Sequence, residues 1–236
     1  MYVKICGITQ PQQAEAIANL GSQALGFIGV PNTPRYLAPE RMIEVVGSLQ
    51  VECERIGVFQ DQDPQLIITV AAKAGLTGIQ LHGQESVAVC VQLRAALPGM
   101  RLIKAIRLRD PGDLAAISIY GKSVDAFLID AYDPQRAGGT GQTVDWRLLQ
   151  DFQCPQPWLL AGGIRPENIA QALQESSPDG IDLSSGVESS PGIKDLQKVR
   201  QLFAILDQLS PQKHQQRQTK TDATGSTGMA PGLMSR

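Results

Sequence analysis

Eight short apolar runs recur along this chain, most followed by a longer segment of helical periodicity, and that alternation argues for βα units around a parallel sheet. The runs are VKIC (3–6), ALGFI (24–28), RIGVF (55–59), GIQL (78–81), LIKAI (102–106), AFLID (126–130), WLLA (158–161) and GIDL (180–183). Pro11, Pro39, Pro64, Pro111 and Pro166 fall near first-turn positions, where the missing N–H costs little. Gly21, Gly75 and Gly99 suit the reversals after helices. Eight units predict a closed (βα)8 TIM barrel, although a doubly wound open sheet gives the same alternation. The motifs below favour the barrel.

With 236 residues, 42% of them hydrophobic, the chain can enclose one large core, so residues 1–210 are expected to form a single catalytic domain. After about Ser210 the composition turns to Gln, Lys, Thr, Ser, Gly and Pro, and residues 211–236 are expected to be a disordered polar tail. A net charge of −2 with both signs interspersed lacks the basic footprint of a nucleic-acid binder and fits a small soluble substrate better. The start MYVKICGIT lacks a leader-like apolar run, and no stretch is long enough to span a membrane, so a cytoplasmic protein is expected. Cys6, Cys53, Cys90 and Cys154 are scattered singly, which argues against structural zinc and disulfides.

In a barrel of this kind the active site lies at the C-terminal ends of the strands. Cys6 closes the first strand, and Gly7 lets the chain turn beside it; the alternative is a cysteine that merely fills the core. Asp130 closes the sixth strand ahead of the glycine-rich run 137–141, where it is either an acid facing that thiol or a loop cap. The ends of strands 7 and 8 carry Gly162 and Gly163, then Ser184, Ser185 and Gly186. Backbone N–H groups and serine hydroxyls there can cradle phosphate without a basic side chain. Arg35, in the loop after strand 2, is either a bidentate carboxylate ligand or simply solvated. His82, after strand 4, is a further candidate at the mouth, unless it only bonds a loop carbonyl.

Taken together and in order, KICGIT, TPRY, IQLHG, FLID, GGTG followed by Asp145-Trp146, LAGGI and DLSSGVE resemble the phosphoribosylanthranilate isomerase family over about residues 2–208. The resemblance implies an Amadori rearrangement of N-(5-phosphoribosyl)anthranilate in tryptophan biosynthesis, with neither metal nor organic cofactor. It implies Cys6 as general base, Asp130 as general acid and Arg35 as ligand of the anthranilate carboxylate. The phosphate would lie on Gly162, Gly163, Ser184, Ser185 and Gly186. Separately from the resemblance, a monomer or homodimer is expected. Gly29 and Val30 depart from the bulky aromatics common in the family. Two rivals are a related histidine-pathway isomerase, whose two-aspartate design Cys6 disfavours, and a silent barrel that only binds phosphorylated metabolites.

Strand parity adds one further expectation. Lys4 shares a face with Cys6, and Asp182 shares one with Ser184, so closure of the sheet predicts a Lys4–Asp182 ion pair below the catalytic layer. Its ammonium would bias Cys6 towards thiolate, with the carboxylate offsetting part of that bias.

Overall fold

The structure is a computed structural model that describes residues 1–131 and 146–209. Eight parallel strands close on themselves in sequence order: β1 (Tyr2–Cys6), β2 (Ala24–Ile28), β3 (Glu54–Phe59), β4 (Gly78–Leu81), β5 (Arg101–Arg107), β6 (Ala126–Asp130), β7 (Trp158–Ala161) and β8 (Gly180–Leu183). Each expected run lies within one of these strands, and closure excludes the open-sheet alternative.

The helices are α1 (Pro11–Asn19), α2 (Pro39–Gly47), α3 (Pro64–Ala74), α4 (Val87–Ala96), α5 (Ala116–Tyr120), α6 (Ile169–Ser176) and a last helix at 196–209. Proline opens α1, α2 and α3, whereas α4 is capped by the Ser86 hydroxyl, which accepts from the Val89 N–H. Beyond the expected units, β9 (Glu188–Ser190) and β10 (Ile193–Lys194) form a small antiparallel hairpin after β8.

Two apolar layers follow from the alternation of side chains along each strand. Inside the barrel, Ala24, Ile56, Ile103, Ala105, Ala126, Leu128, Leu159 and Ala161 make a compact plug of small and branched residues. Outside, alternate residues such as Ile5, Phe27, Ile79, Phe127 and Leu160 pack under the helices. With both faces buried the strands read as continuous apolar runs, and interior polar residues stand out. Lys4 and Asp182 are two of these. They are opposite in the β1–β8 register, and their side chains meet at 2.9 Å, as strand parity predicts. Glycine at position 29 has a local reason: a Cβ there would come within 2.9 Å of the Phe59 ring, which already fills that space. The glycine-rich run 137–141, Asp145 and the polar tail at 211–236 lie outside the described residues.

Candidate active site

Cys6 ends β1 with its thiol buried at the mouth of the barrel. The next residue, Gly7, has φ +77°, and a Cβ there would lie 2.5 Å from Arg35 Cδ and 2.9 Å from the Ser184 hydroxyl. A side chain at this position would therefore be strained and would also separate the loops after β1, β2 and β8. Burial pushes the Cys6 thiol above its ordinary value, while the ammonium groups of Lys4 and Lys194 pull it back part of the way. The expected bias from Lys4 thus exists but is outweighed by desolvation. Within the ion pair, Lys4 is held as ammonium by Asp182 against the opposing effect of burial, and burial raises the Asp182 carboxyl despite its partner.

Across the barrel, Asp130 ends β6, half-exposed, with its Oδ2 3.3 Å from His82 Nε2. His82 Nδ1 in turn lies 3.0 Å from the Gln80 amide nitrogen. With the amide so oriented, Gln80 donates to Nδ1, and the neutral imidazole then carries its hydrogen on Nε2, aimed at Asp130. His82 is therefore engaged by a side chain of its own strand and by the candidate acid, instead of a loop carbonyl.

Arg35 is not a simply solvated cation. Its Nε and Nη2 donate to the two carboxylate oxygens of Glu188 at 2.8 and 2.6 Å. Glu188 occupies one side-on edge of the guanidinium, which leaves Nη1 and the second Nη2 hydrogen as an end-on fork for another carboxylate. The loops after β7 and β8 meet at Gly186, where any Cβ would collide with the Ile164 carbonyl oxygen.

One cavity of about 420 Å³ gathers Cys6, Arg35, His82 and Asp130 with Gly162, Gly163, Ser184 and Ser185, a size ordinary for a small-molecule site. Gly186 alone among the expected site residues is absent from this lining; it turns within the short 3-10 segment Ser185–Val187, behind the cavity wall. Sequence reasoning missed Gln80 and Asp182 as lining residues, and Glu188 and Lys194 behind the wall. The serines and glycines, read from the sequence as able to hold phosphate without a basic side chain, do have one beside them: Lys194 Nζ lies 3.3 Å from the Ser184 carbonyl oxygen and 3.4 Å from its hydroxyl. The only hint in the sequence was an acidic residue directly after the SSGV turn. Among the described residues no three or more His, Cys, Asp or Glu side chains converge as metal ligands, and no helix is long and apolar enough to cross a membrane.

The family profile of N-(5'phosphoribosyl)anthranilate (PRA) isomerase matches residues 3–204. The chain belongs to this family. A relative from Synechococcus sp. (strain JA-2-3B'a(2-13)), named N-(5'-phosphoribosyl)anthranilate isomerase, is 55% identical over 210 residues, 87% of this chain and 90% of its own. The solved phosphoribosyl anthranilate isomerase from Thermus thermophilus superposes with a TM-score of 0.77 at 34% identity, covering 89% of this chain and all of that one. A further solved family member, in complex with reduced 1-(o-carboxyphenylamino)-1-deoxyribulose 5-phosphate, matches at 31% identity and a TM-score of 0.73 over 86% of this chain and 96% of its own.

Proposed function

We propose that this family member rearranges N-(5'-phosphoribosyl)anthranilate with Cys6 as base and Asp130 as acid. The isomerase activity, a step of tryptophan biosynthesis, comes with the family; the assignment of roles is the proposal. Its carrying observation is that the ends of β1 and β6 present a thiol and a carboxyl to one cavity, beside an arginine and two glycine-bearing loops. The substrate phosphate lies against Ser184, Ser185, Gly162 and Gly163, with Gly186 shaping the turn. The anthranilate carboxylate takes the end-on fork of Arg35. Asp182 Oδ1 and Gln80 Oε1 are buried acceptors without a hydrogen-bond partner among the described residues, and they suit the ribose hydroxyls.

Held between these ends, the sugar has its ring oxygen towards Asp130, which protonates it as the C1–O bond breaks and an iminium forms. The Cys6 thiolate then removes the C2 proton. The resulting enolamine tautomerises: C1 gains a proton, the C2 hydroxyl loses one, and C2 becomes a ketone. Only protons move, so a chain with an acid, a base and two anion anchors is sufficient.

The direct test is turnover of freshly made phosphoribosylanthranilate, followed by loss of its anthranilate fluorescence. An inactive protein would overturn the reading. The histidine-pathway aminoaldose, supplied in parallel, should not turn over at a comparable rate, because β1 ends in Cys6 where that chemistry calls for an aspartate.

A further inference from the structure

The hairpin β9–β10 contributes two buried charges that the proton transfers do not use. Glu188 shares its carboxylate between Arg35, as described above, and Lys194 Nζ at 2.7 Å, and it also accepts from the Gly192 N–H at 3.3 Å. Lys194 reaches on to the carbonyl and hydroxyl oxygens of Ser184. The hairpin itself is pinned from two sides. The Gln13 side chain accepts from the Lys194 N–H at 2.9 Å and donates to its carbonyl at 2.8 Å, while Thr9 donates to the Gly192 carbonyl at 2.6 Å. Lys198 Nζ donates to the Glu188 carbonyl at 2.8 Å.

This is more bonding than a surface hairpin needs, and it runs in one direction, from Arg35 through Glu188 and Lys194 to Ser184. Those endpoints are the arginine assigned to the substrate carboxylate and the serine assigned to its phosphate. The two side chains of the link are 4% and 0% exposed, so neither is free to swing into water and find another partner. Burial alone would raise the Glu188 carboxyl, yet the two cations hold it below its ordinary value, so it stays a carboxylate at neutral pH; burial in turn pulls the Lys194 ammonium below its ordinary value, with Glu188 opposing that shift.

We propose that Glu188 and Lys194 are positioning residues that fix Arg35 relative to Ser184, and so set the distance between the carboxylate and phosphate subsites. The inference rests on the assignment of those two subsites. A bound substrate then meets two anchors already at the right spacing, and the reacting carbons between them are delivered to Cys6 and Asp130 without loop ordering in each turnover.

The experiment uses the intact chain and the variants Arg35→Ala, Glu188→Gln, their double, and Lys194→Met. Each is assayed for kcat and KM with phosphoribosylanthranilate, and for inhibition by inorganic phosphate and by anthranilate. Arg35→Ala and Glu188→Gln should each raise KM, by roughly 10-fold for a charge-assisted contact. The double variant should be no worse than Arg35→Ala, because Glu188 acts through Arg35. Glu188→Gln should weaken inhibition by anthranilate and leave that by phosphate within about 2-fold, whereas Lys194→Met should weaken both, since it touches both ends. Additive effects in the cycle, or a Glu188→Gln variant that loses both ends equally, would overturn the proposal. Arg35→Ala with native KM would sink the carboxylate assignment and the proposal with it. A raised KM there beside a native Glu188→Gln would sink the proposal alone. If Glu188→Gln lacks a native melting transition, Glu188→Gln with Lys194→Met removes both buried charges, and the cycle against Arg35→Ala is run on that background with the same criterion.

Discussion

The two walls of the cavity solve the same problem differently. On the wall formed by β1, β8 and the hairpin, charge is withdrawn from water: Lys4 is 0% and Asp182 7% exposed, and the contacts that bind Glu188 to its two cations are 2.6–2.8 Å long. On the wall formed by β4 and β6, His82 and Asp130 are 23% and 22% exposed and meet at 3.3 Å. A charge in the first setting must be paired or the fold suffers, so the residues around the proposed base are structural as well as chemical. A carboxyl in the second setting keeps contact with solvent, and its removal should touch chemistry alone.

The largest effects should come from the two proton-transfer groups, one on each wall. Cys6→Ser and Asp130→Asn are each expected to lower kcat by about 10²-fold or more in the fluorescence assay while the melting transition stays native. Near-native kcat in either would remove that residue from the mechanism. Next, Lys4→Met should strand Asp182 and cost about 3–5 kcal/mol, a fall of roughly 10 °C in melting temperature for a domain of this size. Lys4→Met with Asp182→Leu should recover most of that loss, but not the thiol: in both variants the pH midpoint for alkylation of Cys6 should move upward, because the ammonium that opposes burial is gone. Two variants with equal melting temperatures would erase the contrast between the walls.

On the other wall, His82→Asn should leave the melting temperature within about a degree and lower kcat only several-fold, since it loses contacts to Asp130 at 3.3 Å and Gln80 at 3.0 Å at a partly exposed site where water can replace them. A large loss of stability there would show that the acid side is built like the base side. A separate effect, read as a slope against pH, concerns Glu85, whose buried carboxylate accepts from the Gly83 N–H beside His82 and pairs with Lys104 at 3.0 Å. Burial alone would raise this carboxyl, but backbone N–H groups and Lys104 hold it below the ordinary 4.5. Its contribution is therefore complete above about pH 4.5 and is lost as pH falls through the lower folded value. Glu85→Gln should melt lower at pH 7 and show a shallower further fall on acidification, as followed by circular dichroism.

Much of this was legible in the sequence, and for physical reasons. A strand buried on both faces has to be written as an apolar run, so each expected run lies within its observed strand, and Cys6 and Asp130 could be found as polar residues that close such runs. The Lys4–Asp182 pair was legible because closure makes the first and last strands neighbours and alternation fixes which side chains share a face. Glu188 and Lys194 follow no such rule. Glu188 and Arg35 are 153 positions apart; Arg35 sits in a loop, whose course carries no period, and β9 and β10 have only three and two residues, too short for alternation to register. Arg35 itself was read from the sequence as a candidate ligand for a substrate carboxylate or a solvated cation, but not as a side chain already bound along one edge.

The β1–β8 seam also dictates an order of events while the chain is being made. Residues 2–5 pair with residues 180–183, so the barrel's β1 waits for β8 before its second edge is covered. Until then Lys4 lacks its counter-charge, and Cys6 lacks the Asp182 and Lys194 side of its electrostatic surroundings. Helices and strands in between can form from local contacts, but a nascent chain stopped after β7 holds an open edge and an unpaired ammonium. Catalytic competence therefore arrives late in translation and in one step, when β8 and its hairpin emerge and dock, and partial products of synthesis should neither turn over substrate nor escape proteolysis.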